Sequence, residues 1–188
     1  NTTLNFYDAA APLVSFESVD MDSAFWGSRY DKGDPDYLNC PMNEEEYDAF
    51  YDALINAELE AMHDFERDHL FESCMPVEEI ARRGRQTLLF GPLKPVGLTG
   101  PHTGKRPFAL LQLRREDELG SSFNMVGFQT RLKWGEQKRV FGMIPALSNA
   151  EFMRFGVMHR NTFLNSPEHI NSTMQLRACP SLFFAGQM

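Results

Sequence analysis

Cys74 carries the most distinctive chemistry in this 188-residue chain. It stands in HLFESCMPVEEIARRG (69–84), two residues before Pro76, and the stretch closes on Arg82-Arg83-Gly84. Proline suits the first position of a helix and glycine the position just past its end, so the spacing predicts a short helix over 76–83. A thiolate near a helix start feels the partial positive charge of the free amides, which lowers its pKa. Glu72 pushes the other way. Arg82 and Arg83 lie at the far end, roughly 10 Å off at a rise of about 1.5 Å per residue, where they suit a phosphate better than they suit thiol activation. The competing reading is a small apolar residue packed at a helix start. Both stand on local features alone. Cys40, in a turn-rich loop before Pro41, ranks below Cys74 as a reactive thiol, and Cys179 below Cys40.

Basic residues interleaved with aromatics are the second signal. Lys94, Lys105, Arg106, Arg114, Arg115, Arg131, Lys133, Lys138 and Arg139 run through a region that also holds Phe108, Phe123, Phe128 and Trp134. Phosphate contact needs Lys and Arg, and base contact favours aromatic faces. The same alternation also describes a half-buried sheet. MHRNTF (158–163) sets His159, Arg160, Asn161 and Thr162 side by side, a cluster suited to ligand hydrogen bonding and equally to a solvated turn. The stronger signatures are absent: no GxGxxG, no Walker loop (Gly104-Lys105 is followed by Arg106), no CxxC, no HExxH and no G-x-S-x-G. The five histidines show no metal-ligand spacing with a cysteine, so no metal site is expected.

These residues need elements to hold them. Leu4 to Tyr7 reads as a strand, and 28–42 as a loop rich in turn formers. Asn43 with Glu46 forms a capping-box start. From there Tyr47, Phe50, Tyr51, Leu54, Ala57, Ala61, Met62 and Phe65 recur at helical steps and predict a helix over 44–68. Strands are expected at 86–90, 108–113, 122–132, 152–158 and, as a small buried strand, at 182–185, with a helix at 134–144. Strands joined by hairpin-like turns, with helices to one side, give an α+β fold with a largely antiparallel or mixed sheet.

Composition bounds the rest. With 43% apolar and 23% charged residues the chain reads as a soluble globular protein. No apolar run approaches the roughly 18 to 20 residues of a membrane span. Three cysteines without close spacing argue against a disulfide framework and for a reducing setting. The net charge of -8 hides a split. Residues 1–80 hold 20 acids and 3 bases, whereas 81–188 hold 6 acids and 15 bases. The asymmetry fits either an anionic partner for one face or neutralisation of one half by the other.

Longer blocks carry a resemblance. FYDAAAP (6–12), SRYDKG (28–33), YLNCPM (37–42), FESCMP (71–76), RRG…TLLFGPLKPVGL (82–98), GFQTRLKWGEQKRVF (127–141), VMHRNTF (157–163) and LFFAGQM (182–188) resemble, in order, the folate- and FAD-dependent tRNA uracil-5-methyltransferase family, TrmFO. The resemblance implies methylation of C5 of the T-loop uridine in tRNA. Its carbon would come from 5,10-methylenetetrahydrofolate and its electrons from reduced FAD, with NAD(P)H restoring the flavin, in the cytoplasm. It implies a catalytic role for Cys74. Arg82, Arg83, Lys94, Arg114, Arg131 and Lys133 are then the expected tRNA contacts. His159, Arg160 and Asn161 are expected to face folate or flavin, and Gly186 and Gln187 to end a flavin-domain strand.

The sequence also departs from that family's pattern. The dinucleotide-binding GxGxxG, a CSNS segment with a second cysteine, and the tail after FFAGQM are not in the chain. It is therefore expected to be the middle of such an enzyme: 1–12 and 176–188 as edges of a flavin domain, 13–175 as an inserted tRNA-facing domain. Alone, it is expected neither to retain FAD nor to turn over. Two alternatives remain: a non-catalytic tRNA-binding module, and a relative of glucose-inhibited division protein A acting on the wobble uridine.

Overall fold

The computed structural model describes residues 3–60, 75–100 and 104–185. Its centre is a six-stranded sheet of order β3-β4-β5-β6-β2-β7, antiparallel at every pairing. The strands are β2 (Leu13–Ser15), β3 (Phe25–Gly27), β4 (Tyr37–Met42), β5 (Ala109–Arg115), β6 (Ser122–Met125) and β7 (Phe152–Arg154). Side chains alternate across a strand. Leu38, Cys40 and Met42 of β4 therefore share a face with Ala109, Leu111 and Leu113 of β5, and all six are buried. That face packs on helices α1 (Glu44–Ile55), α2 (Val77–Arg82) and α4 (Trp134–Phe141) through Tyr47, Phe50, Leu54, Val77, Val140 and Phe141, with Phe128 from the segment after β6 packed in the same core. The α+β class, the antiparallel sheet and the helices on its core face agree with the expectation.

Outside the sheet, β1 (Thr3–Ala10) pairs with β8 (Val157–Leu164) as a separate ribbon, and β9 (Gln175–Leu176) pairs with β10 (Cys179–Phe183) as another. Two short helices, α3 (Thr87–Phe90) and α5 (Ser166–His169), complete the described elements.

Several local expectations change. YLNCPM is the strand β4, second from the sheet edge, instead of loop. Pro41 is tolerated in it because β3 pairs only with Tyr37–Asn39, so β4 is itself an edge where the missing N–H falls. The capping box at Asn43 and Glu46 is present. The helix it starts ends at Ile55, however, because the chain then turns to pair Leu59 with Leu132; residues 61–68 of that expectation lie outside the described residues. The strand expected at 86–90 is the helical turn α3, with Leu88 buried beneath it. The 122–132 strand stops at Met125, and 152–158 divides into β7 and β8. The small strand expected as buried at 182–185 belongs to β10, whose residues are all exposed, Phe183 by 61%.

Candidate functional site

A strip of chain from 129 to 133 brackets the segment that carries Cys74. On one side, Glu60 N–H donates to Arg131 O (2.8 Å) and Lys133 N–H to Glu58 O (3.1 Å). On the other, Val77 N–H donates to Gln129 O (2.7 Å) at the start of α2. Both described flanks of 61–74 are thus fastened to one strip; Cys74 itself lies outside the described residues.

Glu78 is what locks α2 to that strip. Its side chain is fully buried and accepts from Thr130 Oγ1 (2.9 Å) and Arg131 N–H (2.8 Å). Burial raises its pKa, and the hydrogen bonds from Arg131 and Thr130 hold part of that rise back. The Arg131 guanidinium lies over the pair: Nε is 3.9 Å from Glu78, an ion pair too long for a hydrogen bond, and Nη2 bonds Glu79. A buried carboxylate with two neutral donors and one cation is fixed in place. The helix α2 begins at Val77 with Pro76 as its cap residue, one position later than the spacing predicts.

Next to the strip stands an open aromatic stack. Trp134, first residue of α4 and 59% exposed, stacks on Phe155 at 5.3 Å between ring centroids and 12° between planes. Phe155 stacks on Phe152 at 5.4 Å, and Lys138 Nζ lies 5.6 Å from its centre. An exposed ring at the end of such a stack can take another planar ring. Trp134 and Lys138 belong to the basic and aromatic signal of the sequence, whereas their stacking on Phe155 and the role of Glu78 emerge only from the fold. The usable signal for the stack was aromatic spacing around α4 and β7; for Glu78 there was none.

The expected tRNA-contacting residues divide into two groups. Arg82, Arg131 and Lys133 come together, with Arg82 and Arg131 both bound to Glu79. Arg131 is an internal residue with a side chain only 10% exposed, so the fold engages it as the counterion of Glu78 and Glu79. Lys133 is exposed but held by Glu58 at 2.7 Å. Arg83, Lys94 and Arg114 are exposed and make no ion pair among the described residues; Arg114 sits opposite Tyr37 in the sheet. Of the described ion pairs, all but Arg139–Glu136 join a base beyond residue 80 to an acid before it. Arg85 to Glu44 and Asp48 is one such link. Part of the charge split is thus neutralised internally.

On the cofactor side, His159, Arg160 and Asn161 lie within β8, opposite Asp8, Tyr7 and Phe6 of β1, rather than in a turn. Gly186 and Gln187 lie outside the described residues. Cys40 is fully buried in the core, and burial pushes its thiol far up, so it is a packing residue; Cys179 is exposed. No group of three or more metal-ligating side chains clusters among the described residues. No helix there is long and apolar enough to cross a membrane.

Known proteins place this arrangement. The chain is 67% identical over 97% of its length to the methylenetetrahydrofolate--tRNA-(uracil-5-)-methyltransferase TrmFO of Heliobacterium modesticaldum. It is 63% identical over 98% to the protein of that name from Listeria monocytogenes. It spans 42% and 43% of those relatives, so it corresponds to less than half of each. Among solved structures, GidA of Aquifex aeolicus in its form II crystal superimposes with a TM-score of 0.55 at 13% identity, over 98% of this chain and 28% of that one, a likeness of fold alone. All 188 residues match the family described as glucose inhibited division protein A, and the chain belongs to that family.

Proposed function

We propose that this chain is the substrate-facing part of an enzyme that methylates C5 of the T-loop uridine in tRNA. The observation that carries the reading is 67% identity across nearly the whole chain to a relative named for that activity. The likeness to GidA, at 13% identity, carries no preference for the wobble uridine. In the whole protein 5,10-methylenetetrahydrofolate would supply the carbon and FADH2 the electrons, with NAD(P)H restoring the flavin, in the cytoplasm. Residues 13–175 form the inserted domain in this reading, with 1–12 and 176–188 as edges of the flavin domain and the β1–β8 ribbon as the joint.

Within this chain, Cys74 is the nucleophile. Uracil C5 attacks poorly until a thiolate adds at C6 and turns the ring into an enolate. The 129–133 strip supports that role, because it fastens both described flanks of the segment that bears the thiol. Exposed Arg83, Lys94 and Arg114 contact tRNA phosphates, and His159, Arg160 and Asn161 face the cofactors. No strand–glycine loop–helix cradle for a dinucleotide pyrophosphate occurs among the described elements, so no step is assigned through the flavin.

The test uses the full-length protein with T-arm RNA. Cys74→Ser is expected to abolish methylation while RNA binding and flavin content stay at wild-type levels. A serine variant that methylates at the wild-type rate would remove Cys74 from the mechanism.

A further inference from the structure

Tyr30 is one of two non-glycine residues with positive φ among those described (φ 60, ψ 25). That region crowds a Cβ, and glycine or asparagine would occupy it more easily. The residue is nonetheless 62% exposed, so the core does not require its ring. The backbone beneath is firmly held. Tyr30 N–H donates to Gly97 O at 2.7 Å, and Arg29 donates to Val96 O (2.6 Å) and Gln112 Oε1 (3.0 Å). The ring lies over Gly97, where an added Cβ would meet Tyr30 Cε2 at 2.9 Å. A strained backbone, a docked loop and a glycine cleared to receive the ring all serve to present an exposed aromatic in one fixed position.

We propose that Tyr30 is a stacking platform for an unpaired RNA base, and that its backbone strain persists for this contact. The proposal rests on the tRNA reading given above. A ring already ordered loses little freedom on binding, and base stacking tolerates any base. Exposed cations stand on the same supports. Lys32 follows two residues on, Lys94 precedes the Val96 carbonyl that holds Arg29, and Arg114 follows the Gln112 that holds it too. None of the three makes an ion pair among the described residues. Asp34 and Asp36 line the depression between Arg29 and Tyr37, so the ring, more than net charge, carries the contact.

The full-length protein is titrated with a T-arm hairpin and with an RNA duplex lacking unpaired bases. Tyr30→Gly and Tyr30→Asn remove the ring and accept the positive φ. Both are expected to weaken hairpin binding about tenfold or more, to leave duplex binding unchanged, and to keep the melting midpoint within about 4 °C. Tyr30→Phe is expected to bind as wild type does. Unchanged hairpin affinity in the Gly and Asn variants would overturn the proposal, as would an equal loss on both RNAs. A large fall in melting midpoint together with lost flavin would also overturn it, by making the ring a packing contact with the rest of the chain. If wild type binds the hairpin and the variants match it, only this proposal fails; if wild type binds neither RNA, the tRNA reading fails with it.

Discussion

At the scale of single residues, Glu78 is the most consequential side chain that the fold reveals. It is buried, and it is the acceptor for both Thr130 and the Arg131 amide. Removing it as Glu78→Ala strands those donors and one side of Arg131, for an expected cost of about 3 kcal/mol, read by denaturant unfolding. Its pKa is raised in the folded state, so the folded protein holds that proton more tightly than the unfolded chain does. The stability this group contributes is therefore complete below its unfolded pKa of 4.5 and is lost as pH rises through the folded value. Glu78→Gln cannot titrate. Melting curves are expected to show it gaining on wild type as pH rises above 4.5; a gap that stays constant with pH would mean that Glu78 does not titrate differently on folding. Cys40 makes a simpler case. A fully buried thiol shifted upward should resist alkylation in the native protein and react only on unfolding. Neither residue's environment was legible in the sequence, because burial depends on which strands become neighbours.

At the scale of elements, the joint between α4 and the sheet decides how the outer ribbon leaves the core. Gln137, buried on α4, donates to Leu132 O (2.7 Å) and Gly156 O (2.8 Å) and accepts from Gly156 N–H (2.8 Å). Gly156 lies between β7 and β8, where a Cβ would come within 2.6 Å of Thr130 Cγ2 and 2.9 Å of Ala10 O. Gly156→Ala must push the ribbon away from the 129–133 strip. It is expected to cost about 1–3 kcal/mol, read as a lower melting midpoint, whereas Gly135→Ala, with open space around it, should not destabilise. The helix α4, the capping box of α1 and the short helix before Arg83 were readable because each is set by local chemistry. The end of α1 at Ile55 was not, because the pairing of Leu59 with Leu132 spans more than seventy residues.

At the scale of the whole molecule, the charge split serves the fold first. Arg85, Arg131 and Lys133 are occupied by Glu44, Asp48, Glu78, Glu79 and Glu58. The exposed bases Arg83, Lys94 and Arg114 remain for a polyanion. In the full-length protein, tRNA affinity is expected to fall linearly with the logarithm of salt concentration. Alanine at any one of these three should reduce that slope by about one. Arg131→Ala should instead lower stability and leave the slope unchanged. An unaltered slope in all three exposed variants would remove this surface from the RNA contact. The 188-residue chain purified alone is expected to carry no stoichiometric flavin, checked by its absorbance spectrum; a yellow sample near one equivalent would refute this.

The sequence by itself determined the class of fold, the starts of α1 and α4, the family blocks and the segment bearing Cys74, because these depend on residue identity at short spacing. Only the tertiary structure decided that YLNCPM is a core strand, that Arg131 faces inward, that Glu78 anchors the helix after Cys74, and that Tyr30 stands strained and exposed over Gly97. Those outcomes depend on which distant segments meet. A buried charge is tolerated only where its partners arrive from elsewhere in the chain, and no local pattern records that arrival.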